Sequence, residues 1–271
     1  SSYGSVGEYA KVVYNASDLT GEKPASRIQT IDNIKYYVDD SEGDFIALVP
    51  AVARDSLTTL KLDSRTTEIN QHAFQYCSGL TGALDLSNCT SLEAIGDYAF
   101  YDCSGLTGAL DLSNCTSLTS IGYNAFYNCS GLTSITLPSS LTSIGERAFY
   151  DCIRLTSITL PSSLTSIESG AFVGCDNLQP SVTDSQGVKY LGNSENPYIV
   201  LWDGTDITTS SYTVNEKCKV IYDDAFRNCS GLTSITLPSS LTSIGNSAFS
   251  GCDGLTSITL PSSLTSIGDS A

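Results

Sequence analysis

The chain contains a single histidine, His72, which is the only imidazole available as a general base. A serine hydrolase needs such a base, and the Gly-x-Ser-x-Gly turn that often carries the nucleophile does not occur in the sequence. In an internal repeat described below, the position of His72 is occupied elsewhere by Tyr98, Asn124, Arg147, Gly170, Asp224 and Ser247. A position that accepts such different side chains is typical of a solvent-facing turn. We therefore expect no catalysis and no enzymatic function.

Metal and phosphate chemistry also lack their usual residues. Common zinc sites need several histidines or a Cys-x-x-Cys pair, and phosphate-binding loops need Gly-x-x-x-x-Gly-Lys; the sequence has neither. Acidic residues recur near the predicted turns, at Asp97, Asp102, Glu146, Asp151, Asp176, Asp223, Asp224, Asp253 and Asp269. Stacked carboxylates could bind calcium, but the equivalent positions elsewhere hold Asn, Gly or Tyr. We expect a solvated acidic face, with no metal and no cofactor.

Seven of the ten cysteines follow a phenylalanine by three residues, at Cys77, Cys103, Cys129, Cys152, Cys175, Cys229 and Cys252. Because they share one repeat position, we predict a buried ladder of free thiols that pack as small hydrophobic groups. Cys89 and Cys115 form a separate pair in adjacent repeats, which would stack about 5 Å apart and within disulfide range. Parallel side chains favour free thiols there too, and a disulfide is the alternative.

The phenylalanines mark the internal repeat. Ala-Phe-x-x-Cys occurs seven times, with phenylalanine at positions 74, 100, 126, 149, 172, 226 and 249, and all but one of the intervals are 23 or 26 residues. The text LTSITLPSSLTSI starts at Leu132, Leu155, Leu232 and Leu255. A period of this length, with leucine and isoleucine at fixed offsets, indicates a leucine-rich-repeat solenoid.

One repeat predicts two kinds of local structure. Ile135 and Leu137 alternate with polar residues, which is the pattern of a strand with one buried face, and Pro138 should end that strand. The spacing from Ala148 to Cys152 predicts one or two short helical turns. We therefore expect a right-handed β/α superhelix that is mostly β, with a parallel sheet on one side and helical turns on another.

Two irregular coils interrupt the period, at about residues 34–77 and 180–229. In each, two strand-like runs flank a turn, which predicts an antiparallel hairpin that projects from the stack. The predicted pairs are Ile34–Val38 with Phe45–Val49, and Val188–Leu191 with Tyr198–Trp202. The first hairpin could cap the N-terminal edge against edge-to-edge association.

The predicted domain organisation has two parts. Residues 1–33 are expected to be a polar linker or the remnant of another module, and residues 34–271 the repeat domain. The last repeat stops at Ala271, where the next phenylalanine is due, so we expect a truncated C-terminal coil. The sequence contains no Met, which suggests a processed or trimmed chain whose signal peptide and anchor lie outside it.

Composition excludes several partners. The 271 residues carry a formal net charge of −16, which repels nucleic-acid backbones and anionic membrane surfaces. The longest apolar run of note, Phe45–Ala53, is far shorter than the ~18 residues of a membrane helix, so we expect no direct membrane insertion.

Large side chains at variable repeat positions mark candidate binding surfaces. Directly after three successive phenylalanines come Tyr101, Tyr127 and Tyr150, bordered by Asp102, Asn128 and Asp151, with Tyr98 and Tyr123 close by. Tyrosine gives a large contact area at low entropic cost, so we hypothesise that this stripe recognises a protein or a glycan. The alternative is a stacked aromatic ladder that only stiffens the solenoid.

The sequence contains two further candidate surfaces. Tyr198 and Trp202, in the second hairpin, form a secondary candidate patch, with a core role for the rings as the alternative. A row of hydroxyls could bind ice or a crystalline polysaccharide; it comprises Thr136, Thr159, Thr236 and Thr259, with Ser134, Ser157, Ser234 and Ser257. Asp85 and Asp111 interrupt the threonine row.

The segment LTSITLPSSLTSIGERAFYDC resembles the BspA-like leucine-rich-repeat family of bacterial surface antigens. The stretch YLGNSENPYIVL, from Tyr190, is similar to an irregular unit common in that family, and the resemblance covers about Ile34 to Ala271. It implies export, display on a bacterial cell surface and attachment to a host or matrix protein. It supplies no catalytic and no fixed binding residues. The alternative role is a passive stalk or scaffold that presents another module.

Overall fold

The computed structural model describes residues 28–39, 43–50 and 52–271. Within these ranges the chain is a β-solenoid whose one helical element is a 3-10 turn, Arg54–Ser56. In chain order the strands are β1 Ile28–Ile31, β2 Ile34–Asp39, β3 Asp44–Pro50, β4 Glu68–Ile69, β5 Ala94–Ile95, β6 Thr107–Asp111, β7 Ser120–Ile121, β8 Gly131–Thr136, β9 Ser143–Ile144, β10 Ser157–Thr159, β11 Ser166–Ile167, β12 Val182–Thr183, β13 Lys189–Leu191, β14 Val200–Asp203, β15 Ser211–Thr213, β16 Val220–Ile221, β17 Ser234–Thr236, β18 Ser243–Ile244 and β19 Ser266–Ile267.

Regular coils contribute strands to two parallel sheets rather than one. The predicted strand is confirmed as β8, which pairs in parallel with β10, so that Ile135 lies beside Ile158. A second strand of two residues forms at the following Ser-Ile, where β9 pairs with β7 and β11. This second sheet was not predicted, because two residues are too few to show an alternating pattern.

The predicted helical turns are hydrogen-bonded turns instead. The amides of Ala148 and Cys152 donate within the coil, to the carbonyls of Gly145 and Phe149 at 3.2 and 3.3 Å. The amide of Phe149, between them, donates to Ala171 of the next coil at 2.8 Å. Two residues per turn region have positive φ, here Arg147 and Asp151, and a left-handed residue cannot continue a right-handed helix.

Both predicted hairpins form, but each extends a sheet instead of projecting from the stack. β2 pairs antiparallel with β3, and β3 then pairs in parallel with β4 of the first regular coil. In the second hairpin β13 pairs antiparallel with β14, which pairs in parallel with β16. Strand β1 pairs with β2, so the sheet begins upstream of residue 34; residues 1–27 of the predicted linker lie outside the described residues.

The thiol ladder lies inside the solenoid. All ten cysteines are free and buried, including Cys89 and Cys115. Six of the seven thiols of the ladder donate to a carbonyl of the preceding coil, as Cys103 does to Phe74 at 3.0 Å and Cys129 to Phe100 at 3.2 Å. Beside the thiols, the phenylalanine rings stack, with Phe100 and Phe126 centroids 5.1 Å apart. The side chains that identify the repeat therefore form its core.

The first and second halves of the solenoid meet after β11, where the eight-stranded sheet ends and a six-stranded sheet begins with β12. Two side chains of the second half replace the missing carbonyl acceptors of a next coil. Tyr222 Oη accepts from the amide of Phe172 at 2.9 Å, and Asp223 Oδ2 accepts from the amide of Gly170 at 2.8 Å. The two halves are thus joined by specific hydrogen bonds.

Candidate binding groove

Two repeat positions on neighbouring coils form the walls of a groove of about 680 Å³. The first wall uses the left-handed turn position and comprises His72, Tyr98, Asn124 and Arg147. The second uses the position after each phenylalanine and comprises Gln75, Tyr101, Tyr127 and Tyr150. Tyr76 and Tyr123 complete the lining. The groove follows from the repeat, because equivalent positions of stacked coils are direct neighbours.

The predicted tyrosine stripe is continuous in the structure. The ring centroids of Tyr101 and Tyr127 are 4.7 Å apart with planes 13° from parallel, and those of Tyr127 and Tyr150 are 4.9 Å apart at 1°. Since the rings face one another, the stripe presents ring edges and hydroxyls to the groove. It therefore stacks as a ladder and also forms one wall of a cavity.

The opposite wall is also aromatic at one end. Tyr98 stacks on His72 at 4.7 Å and meets Tyr123 edge-on at 5.1 Å. His72 Nδ1 lies 2.8 Å from Gln75 Oε1, which joins the two walls by a hydrogen bond. His72 is partly buried at a left-handed turn, so it serves as a packing and hydrogen-bonding residue of the groove wall.

Asn124 stands in the middle of this wall and is only 5% exposed. Its Oδ1 is buried and lacks a hydrogen-bond partner, the single such side-chain atom in the part of the chain that the structure describes. A buried acceptor without a donor costs roughly 1–3 kcal/mol. An unpaired acceptor in a groove wall is a position where an external donor would be favourable.

The groove has one cationic and several acidic neighbours. Arg147 lies 3.3 Å from Glu146 and donates to Tyr123 Oη at 3.5 Å. Burial raises the pKa of Tyr127, and the carboxylate of Asp151 adds to the rise. Burial and a hydrogen bond with Tyr123 raise the pKa of Tyr98, and a hydrogen bond from Asn124 opposes them. Tyr98 and Tyr127 therefore stay neutral hydrogen-bonding groups at physiological pH.

The three residues predicted to border the stripe have a different role in the fold. Asp102, Asn128 and Asp151 do not line the groove. They occupy the second left-handed turn position, with φ of 59°, 54° and 55°, a conformation that Asn and Asp adopt more readily than most residues. Asn128 Nδ2 donates to Asp102 Oδ1 at 2.6 Å, which ties adjacent turns together.

Comparison with known proteins agrees with this architecture. The model of the BspA type leucine rich repeat region matches six copies, over residues 93–195 and 205–271. The chain belongs to this family. No significant match occurs among curated proteins. The BspA-type assignment also confirms the family predicted from the repeat text.

The chain is similar to several solved structures, and the first of them supports the fold. The Treponema pallidum leucine-rich-repeat protein TpLRR is 24% identical, with a TM-score of 0.51 over 86% of this chain and 89% of that one. A leucine-rich cell surface protein from Faecalibacterium prausnitzii A2-165 is 20% identical, with a TM-score of 0.40 over 89% and 84%. The pneumococcal vaccine antigen PcpA is 19% identical, with a TM-score of 0.40 over 89% and 77%.

The secondary patch packs inward in this BspA-type chain. Trp202 stacks on Tyr222 at 4.5 Å and meets Phe172 edge-on at 6.1 Å. Tyr198 places its ring against Tyr190 at 5.2 Å. Both residues are partly buried against the core clusters, which corresponds to the core role considered from the sequence.

The hydroxyl row is too short for a flat array. Thr136 lies beside Thr159 in the sheet β10-β8-β6, and Asp111 follows on the other side of Thr136. Thr213 and Thr236 pair in a separate two-stranded sheet. Each sheet thus places only two threonines side by side in this row, which weakens the ice-binding and polysaccharide alternative.

Sequence reasoning missed half of the groove, namely His72, Gln75, Tyr76, Asn124 and Arg147. The available signal was positional, because residues at one repeat position on consecutive coils must be neighbours. Within the described ranges, no group of His, Cys, Asp and Glu is arranged to bind a metal ion. The same ranges contain no helix with the length and apolar character needed to cross a membrane.

Proposed function

We propose that this BspA-type chain is a non-catalytic recognition protein, displayed on a bacterial cell surface, that binds a host or matrix protein in the tyrosine groove. The observation that carries the proposal is the groove itself, lined by six tyrosines together with Asn124 and Arg147. Tyrosine, asparagine and arginine are the residues that protein-binding surfaces use for rigid contact area and adaptable hydrogen bonds.

Family membership supports the cellular setting. The sequence resembles bacterial surface antigens, and the BspA-type model matches both halves of the solenoid. Repeat proteins of this kind bind partners on the surfaces that their stacked coils create. Attachment to host or matrix proteins is therefore the function that fits the groove and the family together.

The alternative role as a passive stalk explains less of the structure. A stalk needs stacked coils but gains nothing from a cavity of this size or from the unpaired Oδ1 of Asn124. Ring stacking of Tyr101, Tyr127 and Tyr150 would stiffen either kind of protein. The cavity and the unpaired acceptor favour recognition.

The test is a binding measurement against a panel of immobilised extracellular-matrix proteins. We expect saturable binding by the wild-type chain and loss of binding when Tyr101, Tyr127 and Tyr150 are all replaced by serine. Arg227→Ser is the matched control, since Arg227 occupies the same position after a phenylalanine in the second half of the solenoid and lies outside the groove. Binding that survives the triple change would contradict the assignment of the groove, and no binding by the wild-type chain would favour the stalk.

A further inference from the structure

We propose that Asn124 determines the specificity of the groove, and that its Oδ1 accepts a hydrogen bond from a lysine or arginine side chain on a basic polypeptide segment. This inference rests on the proposed function, because it names the chemistry of the ligand for the same groove. The first observation is the unpaired, buried Oδ1 in the wall of the cavity. Such an atom requires an N–H or O–H donor.

Two neighbours of Asn124 also offer acceptor oxygens. Tyr98 and Tyr123 flank it with hydroxyl oxygens, and Tyr98 interacts with both Tyr123 and Asn124 by hydrogen bonding. An ammonium or guanidinium group carries several donors and no acceptor, so it can satisfy the amide oxygen and a tyrosine hydroxyl at once. Because Oδ1 is itself buried, the proposal requires that one of these two partly buried rings rotates when the ligand binds.

The charge around the groove favours a basic ligand. Carboxylates of Asp97, Asp102 and Asp151 lie close enough to raise the pKa of groove tyrosines. Arg147 is the one cation in the lining, and Glu146 pairs with it at 3.3 Å. The whole chain has a formal net charge of −16, which would speed the approach of a basic segment at low salt.

The ring geometry favours a polypeptide over a glycan. Sugar rings bind aromatic residues by packing their C–H groups on an open ring face. Tyr127 has both of its ring faces covered, by Tyr101 at 4.7 Å and by Tyr150 at 4.9 Å. Edges and hydroxyls are exposed instead, and these suit hydrogen-bond donors. Four stacked coils span roughly 15–20 Å, the length of about five extended residues.

The experiment uses fluorescence anisotropy with labelled peptides of alternating sequence, (Lys-Thr)6, (Gln-Thr)6 and (Glu-Thr)6. We expect the lysine peptide to bind the wild-type chain most tightly and to weaken as salt is added. Asn124→Gly should weaken it about tenfold, since glycine keeps the φ of 53° at this turn but removes the acceptor. Asn124→Asp keeps an acceptor and should bind at least as well as the wild-type chain.

The matched control is Asp224→Gly, which makes a change at the same turn position outside the groove, where φ is 57°. It should leave peptide affinity unchanged. Circular dichroism should show that Asn124→Gly keeps the wild-type fold, although it also removes the hydrogen bond of Asn124 to Tyr98, so that its peptide affinity is compared on folded protein.

Equal affinity of Asn124→Gly and the wild-type chain would overturn the inference, as would tighter binding of the glutamine or glutamate peptide. Binding to a glycan array in place of all three peptides would also overturn it. The matrix-protein panel keeps the two proposals separate. If the triple tyrosine variant loses matrix binding while Asn124→Gly retains it, the groove functions as proposed and the assignment of Asn124 is wrong.

Discussion

Replacing Tyr222 with phenylalanine removes one oxygen atom from the junction between the two halves of the solenoid. Tyr222 is 6% exposed, and its Oη accepts from the amide of Phe172 at 2.9 Å. That amide would otherwise have no next coil to bond, because the first half of the solenoid ends there. The aromatic ring remains and keeps its contact with Trp202, whose centroid lies 4.5 Å away.

The size of the effect follows from the hydrogen bond alone. A buried donor left without a partner costs about 1–3 kcal/mol, so Tyr222→Phe should lower the free energy of unfolding by that amount. Asp223→Ala removes acceptors from the amides of Gly170 and Asn246, at 2.8 and 2.7 Å. Hydrogen bonds to a charged group contribute about 1.5–3 kcal/mol each, and partial exposure of Asp223 places the expected loss at roughly 2–4 kcal/mol.

Trp202 allows unfolding of the junction to be followed separately, because it is the single tryptophan of the chain and packs against Phe172 at the junction. Urea unfolding followed by its fluorescence reports the junction, while circular dichroism reports the whole solenoid. In Asp223→Ala we expect the fluorescence transition at lower urea than the circular dichroism transition, because repeat proteins lose cooperativity where an interface is weakened.

The control for Tyr222→Phe is Tyr198→Phe, which removes a tyrosine hydroxyl from the second hairpin and leaves the hydrogen bond between Phe172 and Tyr222 intact. It should change the free energy of unfolding by less than about 0.5 kcal/mol. If Tyr222→Phe were as neutral as this control, its hydroxyl would contribute no net stability at the junction and the predicted loss would be refuted.

Three further predictions concern the rest of the coil stack. Arg54 donates to three carbonyls of the first regular coil, including Gln75 at 2.7 Å, so Arg54→Met should lower the free energy of unfolding by about 2–4 kcal/mol in urea titrations. Gly105→Ala would force a Cβ against the Leu80 carbonyl and should cost about 1–3 kcal/mol, whereas Gly231→Ala faces open space and should be near neutral; equal melting temperatures would contradict this. Burial raises the pKa of Cys77 to about 11 from 9.0, so this thiol loses its proton at a lower pH in the unfolded state than in the folded state. Its contribution to the free energy of unfolding is therefore fully present below pH 9 and decreases by up to about 1.4 kcal/mol per pH unit towards pH 11. Cys77→Ala should reduce this slope.

The repeat unit and its core were predictable because their signals are local. Ile135 and Leu137 alternate with polar residues, and the structure has a strand there with Ile135 buried. The phenylalanine and cysteine of each repeat had to be internal, because identical apolar side chains at a fixed period can only be buried by stacking. The two-residue strands that form the larger sheet left no such pattern.

The sequence did not reveal the backbone conformation of the turn region, because two effects overlap there. Its second left-handed position holds Asp102, Asn128 and Asp151 in successive coils, which is a recognisable preference for positive φ. Because each of these residues directly follows a tyrosine of the stripe, their position in the sequence predicts the border of a binding surface. The first left-handed position holds bulky residues such as Tyr98 and Arg147, which conceal its conformation.

Tolerance of substitution at that first position has a structural cause that changes its meaning. The amide of Tyr98 donates to Tyr123 at 2.8 Å, and the amide of Asn124 donates to Glu146 at 2.9 Å. Backbone bonds to the next coil therefore fix the turn whatever the side chain is. Variability there weighs against a catalytic role for His72, but it does not weigh against binding. A position whose conformation is held by the backbone is one where side chains can vary to suit a ligand, and in this chain those side chains form one wall of the groove.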